Sequence, residues 1–310
     1  MSGPMLAIVG PTAAGKTALA LKVAGALGAE VVSMDSATVY RGMDIGTDKP
    51  SRCEVARVRH HLVDVVPPSH TLTVSEFQSM ARAAVAGILA RGRLPLLVGG
   101  SGLYFRAVVD PLEFPGTDPV VRGRLEQEAA EQGATALYER LEAADPEAAT
   151  HIHPFNARRT IRALEVLEVT GRPFSSFRTS WEQPRSLYAL TVIGLTEPRP
   201  EIDRRIDARV ESQLARGLVA EVERLVRGQR LRDSATAVQA LGYAQILAHL
   251  DGRLSLQEAI DQTKARTRRF ARRQMAWFRA DSRVTWFTSD APGARAHLLA
   301  HGSPKKGEAA

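Results

Sequence analysis

Short apolar runs alternate with longer stretches of helical periodicity along the first hundred residues of this 310-residue chain. Residues 5–9, 30–34, 62–66 and 94–98 are such runs and read as strands, while 17–27 and 75–90 carry helical patterns between them. This alternation predicts a parallel sheet with helices on both faces. From about Pro115 the pattern changes, and no strand-like run recurs until residues 187–195. Helical patterns fill the interval at 119–132, 134–143 and 156–169, the last closed by the stop signal Thr170-Gly171-Arg172-Pro173. Beyond Arg199 the chain is helical again, with Ile202, Ile206, Val210 and Leu214 on one stripe, and it ends in a polar stretch, 301–310, expected to be disordered. The predicted organisation is an α/β core of phosphate-loop type from 1–114 and 187–300, interrupted by a helical insertion at 115–186.

Ligands of open parallel sheets sit beyond the carboxyl ends of the strands. Three polar clusters fall there: residues 10–17 after the first run, Asp35-Ser36 after the second, and Gly99-Gly100-Ser101-Gly102 after the fourth. The first reads Gly10-Pro11-Thr12-Ala13-Ala14-Gly15-Lys16-Thr17. A strand, then Gly-x-x-x-x-Gly-Lys-Thr, then a helix is a phosphate-binding loop, in which backbone N–H groups converge on an anion at a helix N-terminus. Lys16 would add a point charge, and the Thr17 hydroxyl would ligate Mg²⁺. The motif selects polyphosphate without choosing among a nucleoside triphosphate, a nucleoside diphosphate and an alkyl diphosphate. Asp35 suits a general base, a metal ligand, or a helix cap acting with Ser36. The fourth run ends in glycines and lacks the acid expected after a strand in ATP hydrolases. His60-His61, like His151 and His153, have no further ligands at metal spacing and read as structural or solvent-facing.

Composition changes the picture in two places. A hydrophobic fraction of 44% fills a core, and the single cysteine, Cys53, excludes an intramolecular disulfide and suits a reducing compartment. No stretch of about 18 apolar residues occurs, and no basic flank with a long apolar segment opens the chain, so a cytoplasmic protein without a membrane partner is expected. The formal charge of +7 favours a polyanion, although only six of 41 cations are lysine, a bias that genome composition also produces. Distribution says more than the total. Residues 264–279 carry seven cations and no acid, interleaved with Phe270, Trp277 and Phe278. Phe270 and Trp277 at helical spacing predict an apolar stripe docked on the body, with the cations facing outward to track phosphates.

Seven blocks, in order, resemble the tRNA dimethylallyltransferase family, the bacterial tRNA isopentenyltransferases. They are the phosphate loop 10–17, SMDSATVYRGMDIGTDKP (33–50), HHLVDVVPP (60–68), VGGSGLYFRA (98–107), HPFNARRTIRALEV (153–166), QALGYAQIL (239–247) and TRRFARRQMAWFR (267–279). The resemblance implies transfer of a dimethylallyl group from dimethylallyl diphosphate to the exocyclic amine of the adenine 3′ of the anticodon. Gly10 to Thr17 would then hold a diphosphate leaving group with Mg²⁺, and Asp35 would accept the amine proton. Ser101 would lie near the reacting centre. Arg205 or Arg209 would clamp the diphosphate from the other side. The implied partner is the anticodon stem-loop of tRNA, touched by Asp35, Ser36, Ala37, Thr38 and Ser101, by Arg158, Arg159, Thr160, Ile161 and Arg162, and by Arg122, Arg272 and Arg273, with the protein expected to act as a monomer. Reaching that amine requires the base to leave its stack.

Four positions depart from the family pattern. Thr38 stands where Gln is usual, which removes a bidentate amide contact, and Ser101 replaces Thr but keeps the hydroxyl. Phe155-Asn156 stands where Asn-Asp or Asn-Asn is common, and Ala14 replaces a frequent Ser, losing a side-chain donor but no backbone one. Two rivals share the phosphate loop: a small-molecule kinase, which leaves the basic helix unexplained, and an RNA-binding NTPase, which the missing acid after the fourth run disfavours.

Overall fold

Strand β1 (Pro4–Val9) turns Met5, Ala7 and Val9 to one side and Leu6 and Ile8 to the other, and all five are buried. A strand apolar on both faces needs cover on both, which is the condition of a parallel sheet sandwiched between helices. The computed structural model describes residues 3–177, 184–289 and 291–302, and it contains that sheet. Six parallel strands lie in the order β3-β2-β4-β1-β5-β6, with β2 at Glu30–Ser33, β3 at His60–His61, β4 at Pro95–Val98, β5 at Ala189–Thr196 and β6 at Val284–Thr288. The fold is of the α/β phosphate-loop kind.

Helices α1 (Lys16–Leu27), α2 (Arg52–Arg57), α3 (Val74–Ala90) and α4 (Gly102–Val109) occur in the first 109 residues. Phe77, Ala81, Val85 and Ile88 of α3 pack on the same face as Met5 and Val9, whereas Ala20, Val23 and Ala24 of α1 cover Leu6 and Ile8. Each face thus has its own apolar layer.

Two strands differ from expectation. The third begins at His60, not Leu62, because Leu62 and Asp64 adopt positive φ (61° and 57°) that breaks extension after two residues. Val65 and Val66 instead donate to the carbonyl of Val39, tying the segment to the loop after β2. The sixth strand, Val284–Thr288, is not among the predicted runs, although its β-branched and aromatic residues suit one; it pairs along β5 from Val192 to Thr196.

Contacts divide the chain into two compact units, residues 1–109 with 186–310, and residues 110–185. The division falls where it does because Leu187 N–H donates to the Val109 carbonyl at 2.8 Å, so the chain leaves and re-enters the first unit at one place. The second unit is helical: α5 (Pro119–Gln132), α6 (Ala134–Ala144), α7 (Pro146–Ala149) and α8 (Ala157–Thr170). Its core is Leu125, Leu137, Leu141, Ile152, Ile161 and Leu164. Asp118 caps α5 by accepting from Val120 and Val121, Asn156 caps α8 by accepting from Arg159, and Gly171 closes α8 at φ 66°.

After β5 the first unit continues with α9 (Arg199–Ala215), α10 (Leu218–Gln229), α11 (Tyr243–Leu250), α12 (Leu256–Arg279) and α13 (Pro292–Gly302). The last helix therefore includes residues 301 and 302 of the stretch expected to be disordered; residues 303–310 lie outside the described residues. Among the described residues no helix is long and apolar enough to cross a membrane.

Candidate functional site

The chain leaves β1 at Gly10 and enters α1 at Lys16 through a loop with Gly10, Ala13 and Gly15 all at positive φ. This alternation turns successive N–H groups toward one concavity, which is an anion nest at the start of a helix. Gly15 precedes α1 with no side-chain cap, so the first-turn donors face outward for a ligand. Lys16 donates to the carbonyls of Gly10 (3.0 Å) and Pro11 (2.7 Å), which fixes the ammonium at the cradle. Burial of that ammonium, with Arg209 nearby and only partly offset by Asp35, lowers its pKa from 10.5 to about 7. A bound polyanion reverses the balance and favours the charged amine. Thr17 is exposed in the first turn of the helix.

The ends of β2 and β4 bring the second and third clusters together. A Cβ on Gly99 would lie 2.8 Å from the Met34 carbonyl oxygen, so only glycine lets the two strand ends close, and Asp35 and Ser101 follow directly on either side. Asp35 is exposed, and its carboxylate accepts from the Ala37 N–H at 2.8 Å, an Asx turn that caps no helix and leaves the acid facing solvent. Ser101 is half-buried at the start of α4, its hydroxyl 3.5 Å from the Tyr104 nitrogen.

The basic helix α12 closes this corner. A Cβ on Gly102 would fall 1.9 Å from the Trp277 ring, so the Trp277 side chain of α12 rests directly on the backbone at the start of α4. Gln274 of α12 accepts the Thr12 N–H at 2.8 Å, joining helix and phosphate loop directly. The buried stripe of α12 is Ala259, Thr263, Thr267, Ala271, Gln274 and Phe278, while Phe270 and Trp277 are only half-buried at its flank. The expected pair Phe270 and Trp277 thus stands at the edge of a buried face made of small and polar residues together with Phe278, and the helix lines a cleft. Lys264 and Arg268 pair with Glu211 and Asp207 of α9; Arg266, Arg269, Arg272, Arg273 and Arg279 are exposed, with no ion pair among the described residues.

A cleft of about 310 Å³ results, and Thr12, Asp35, Ser36, Ser101, Arg209 and Arg273 are among its walls. Arg209 and Arg205 can now be distinguished. Arg209 faces the cleft, donating to the Thr12 hydroxyl at 2.9 Å and pairing with Asp48 at 2.8 Å. Arg205 is engaged by Glu201 at 2.6 Å and by Glu197 at 3.9 Å, donates to the Ala13 carbonyl at 3.4 Å and the Ser289 hydroxyl at 3.5 Å, and does not line the cleft. Ala37 lines the cleft, but Thr38 is buried with its hydroxyl 3.0 Å from that of Ser33 and does not.

Gly46 and Thr47 also line the cleft, and their loop is fixed by a buried acid. Glu221 of α10 accepts the N–H groups of Asp44, Ile45 and Gly46 and the Tyr243 hydroxyl at 2.6 Å. Burial, then the Glu221 charge, pushes the Tyr243 phenol well above its ordinary value, so it stays a donor. Sequence reasoning misses Glu221, Gln274 and Asp48, which read as ordinary polar residues on helices or in a loop. Only Gln274 carries a signal: helical periodicity puts it with Thr263, Thr267 and Ala271 on one face.

In the helical unit the named residues divide sharply. Arg158 and Arg159 are exposed. Arg122 and Arg162 converge on the buried Glu165 at 2.6 and 2.7 Å, and Arg162 also donates to the carbonyls of Pro115 and Gly116. Thr160 and Ile161 are buried, with the Thr160 hydroxyl donating to the Asn156 carbonyl. His61 pairs with Glu30 at 2.7 Å, a structural contact beneath the sheet edge.

A family model described as IPP transferase matches residues 38–281. The tRNA dimethylallyltransferase of Salinispora tropica is 51% identical over 298 residues, covering 96% of this chain and 92% of that protein. The full-length tRNA isopentenylpyrophosphate transferase of Bacillus halodurans, a crystal structure, is 42% identical with a TM-score of 0.69, covering 97% of this chain and 95% of that one. A eukaryotic dimethylallyltransferase, captured in crystallographic snapshots acting on tRNA, superposes with a TM-score of 0.82 at 25% identity, over 99% of this chain and 82% of its own.

Proposed function

The chain belongs to the IPP transferase family, and from that premise we propose that its cleft holds dimethylallyl diphosphate against an adenine of the tRNA anticodon loop. It is a prenyltransferase that modifies tRNA. The observation that carries the finer reading is the meeting of an anion nest, an exposed carboxylate and a basic helix around one cleft.

The exocyclic amine of the adenine 3′ of the anticodon attacks the allylic carbon. The carbon–oxygen bond breaks, its electron pair leaves with the diphosphate, and the amine proton passes to the Asp35 carboxylate. Charge therefore grows where residues 10–17, Lys16 and Arg209 present donors, the condition under which fixed dipoles accelerate a reaction most. An aromatic amine is a weak nucleophile, so a positioned proton acceptor adds roughly 10²–10⁴-fold. Ser101 neighbours the reacting atoms, and Arg272 and Arg273 of α12, with Arg158 and Arg159 of the helical unit, grip RNA phosphates.

Magnesium suits this corner as a companion of the diphosphate. No group of three or more His, Cys, Asp or Glu residues stands ready to hold a metal among the described residues, whereas the exposed Thr17 hydroxyl offers the single protein ligand that a phosphate-bound Mg²⁺ needs. Bound there, it would supply positive charge that offsets the charge on the leaving group.

The test is incorporation of labelled allyl group from dimethylallyl diphosphate into an anticodon stem-loop with three consecutive adenines. Asp35→Asn is expected to keep RNA affinity while losing turnover; near-normal turnover removes Asp35 from its role. Incorporation that depends on ATP instead of the prenyl donor points to a kinase.

A further inference from the structure

Phe155 is 78% exposed, the second most exposed large apolar side chain of the described residues, so the fold leaves most of its ring uncovered. It occupies the position just before Asn156, the cap of α8. A hydrophobic residue there ordinarily staples onto the fourth helical residue, fixing the entry of the chain. In α8 that residue is Thr160, which is fully buried and spends its hydroxyl on the Asn156 carbonyl, so no apolar partner awaits the ring. Phe155 is therefore left standing in solvent beside His153, whose ring centroid lies 5.6 Å away at a 41° tilt. The Phe155 N–H donates to His153 Nδ1 at 3.3 Å, which orders the pair.

Along the chain the ring's immediate neighbours carry one sign of charge. From Ala148 to Leu164 the chain holds three arginines and two histidines and no acidic residue. Arg162 is committed to Glu165 and to backbone carbonyls, but Arg158 and Arg159 are exposed within the first turn after the ring. An exposed aromatic face beside exposed guanidinium groups matches a nucleobase attached to its phosphate: the ring stacks and the arginines hold the backbone. An apolar protein partner would leave those arginines unmatched.

We infer that Phe155 is a stacking platform for an unstacked base in the anticodon loop of the RNA substrate. The inference rests on the prenyl-transfer reading above. It also assigns a role to a residue that departs from the Asn common at this place in the family, so RNA recognition here includes a base-face contact that an amide side chain provides less well.

Steady-state kinetics and equilibrium binding with an anticodon stem-loop test it. Phe155→Ala is expected to raise both KM and Kd for the RNA by about 5- to 100-fold, while kcat at saturating RNA and KM for the prenyl diphosphate stay unchanged. Phe155→Tyr and Phe155→Trp should restore RNA affinity, and Phe155→Leu, apolar but without a π face, should behave like Ala. Among stem-loops made abasic at one loop position at a time, one should bind wild type and Phe155→Ala alike, identifying the stacked base. Unchanged RNA affinity in Phe155→Ala, full rescue by Leu, or a difference that persists with every abasic stem-loop overturns the inference. Absence of any transfer by the wild-type chain overturns the functional reading itself, whereas normal transfer with Phe155→Ala matching wild type overturns only the stacking.

Discussion

Two sets of cations, one around the phosphate loop and one along α12, are built on opposite principles. Around the phosphate loop each is held: Lys16 by two carbonyls, Arg209 by Thr12 and Asp48, Arg205 by Glu201. Along α12 the exposed arginines have no such partner, and their heads are in water. The first set is pre-arranged in a partly desolvated place, where a charge acts strongly over a short range and loses little to reorganisation. The second is screened within about 8 Å at physiological salt and acts additively on a long polyanion. On the proposed function, catalysis would draw on the first kind, because the charge on a departing diphosphate appears at one place. Holding a stem would draw on the second, because phosphates are spread along it. The helical unit shows a third use, with Arg122 and Arg162 neutralising a buried Glu165 and so stabilising their own fold.

The largest effect that sharpens this contrast comes from Lys16→Met. Loss of a fixed donor at the developing charge is expected to lower kcat by about 10²–10³-fold with the RNA Kd unchanged. A loss no greater than that of Arg272→Ala would erase the distinction.

Next comes a pH effect that only a desolvated cation produces. With its pKa near 7 in the folded chain and 10.5 in the unfolded one, Lys16 binds more protons when unfolded across that window. This group therefore makes the fold more stable as pH rises from about 7 to 10.5. Diphosphate binding restores the charge, so at pH 8 it should be accompanied by uptake of up to about one proton. Titration calorimetry in buffers of different ionisation enthalpy reads it, and Lys16→Met should abolish it. Uptake unchanged in that variant would assign the proton elsewhere.

The smallest effects belong to α12. Arg272→Ala and Arg273→Ala should each weaken RNA binding and reduce the slope of log K against log salt by about 0.7–0.9 for each phosphate no longer neutralised, leaving kcat nearly intact. Weaker binding with an unaltered salt slope would remove these residues from the phosphate-gripping set.

Much of this is readable in sequence, and for a physical reason in each instance. The phosphate loop is local: its glycines, lysine and threonine act within eight residues, so their spacing is sufficient. Helices α5, α6 and α8 are legible within a residue or two because caps and periodicity are also local. The third strand lies earlier than its apolar run suggests because such a run does not reveal positive φ at Leu62 and Asp64. The face of α12 differs from its pattern because burial runs through Thr263, Thr267, Ala271, Gln274 and Phe278, while Phe270 and Trp277 stand at its edge; the glycine loop receives Gln274 at Gly100 and the Trp277 ring at Gly102.

Sequence by itself determined that this chain has a phosphate cradle after its first strand, an acid after its second and an arginine-rich helix near its end, since each depends on neighbours along the chain. It did not determine that Gln274 reaches Thr12 across 262 positions, that Arg209 and not Arg205 faces the cleft, or that Arg162 serves its own unit. Those follow from which faces the elements bury. Burial is a property of contacts between residues far apart in sequence, and it alone decides whether a given charge is spent within the protein or remains for a ligand.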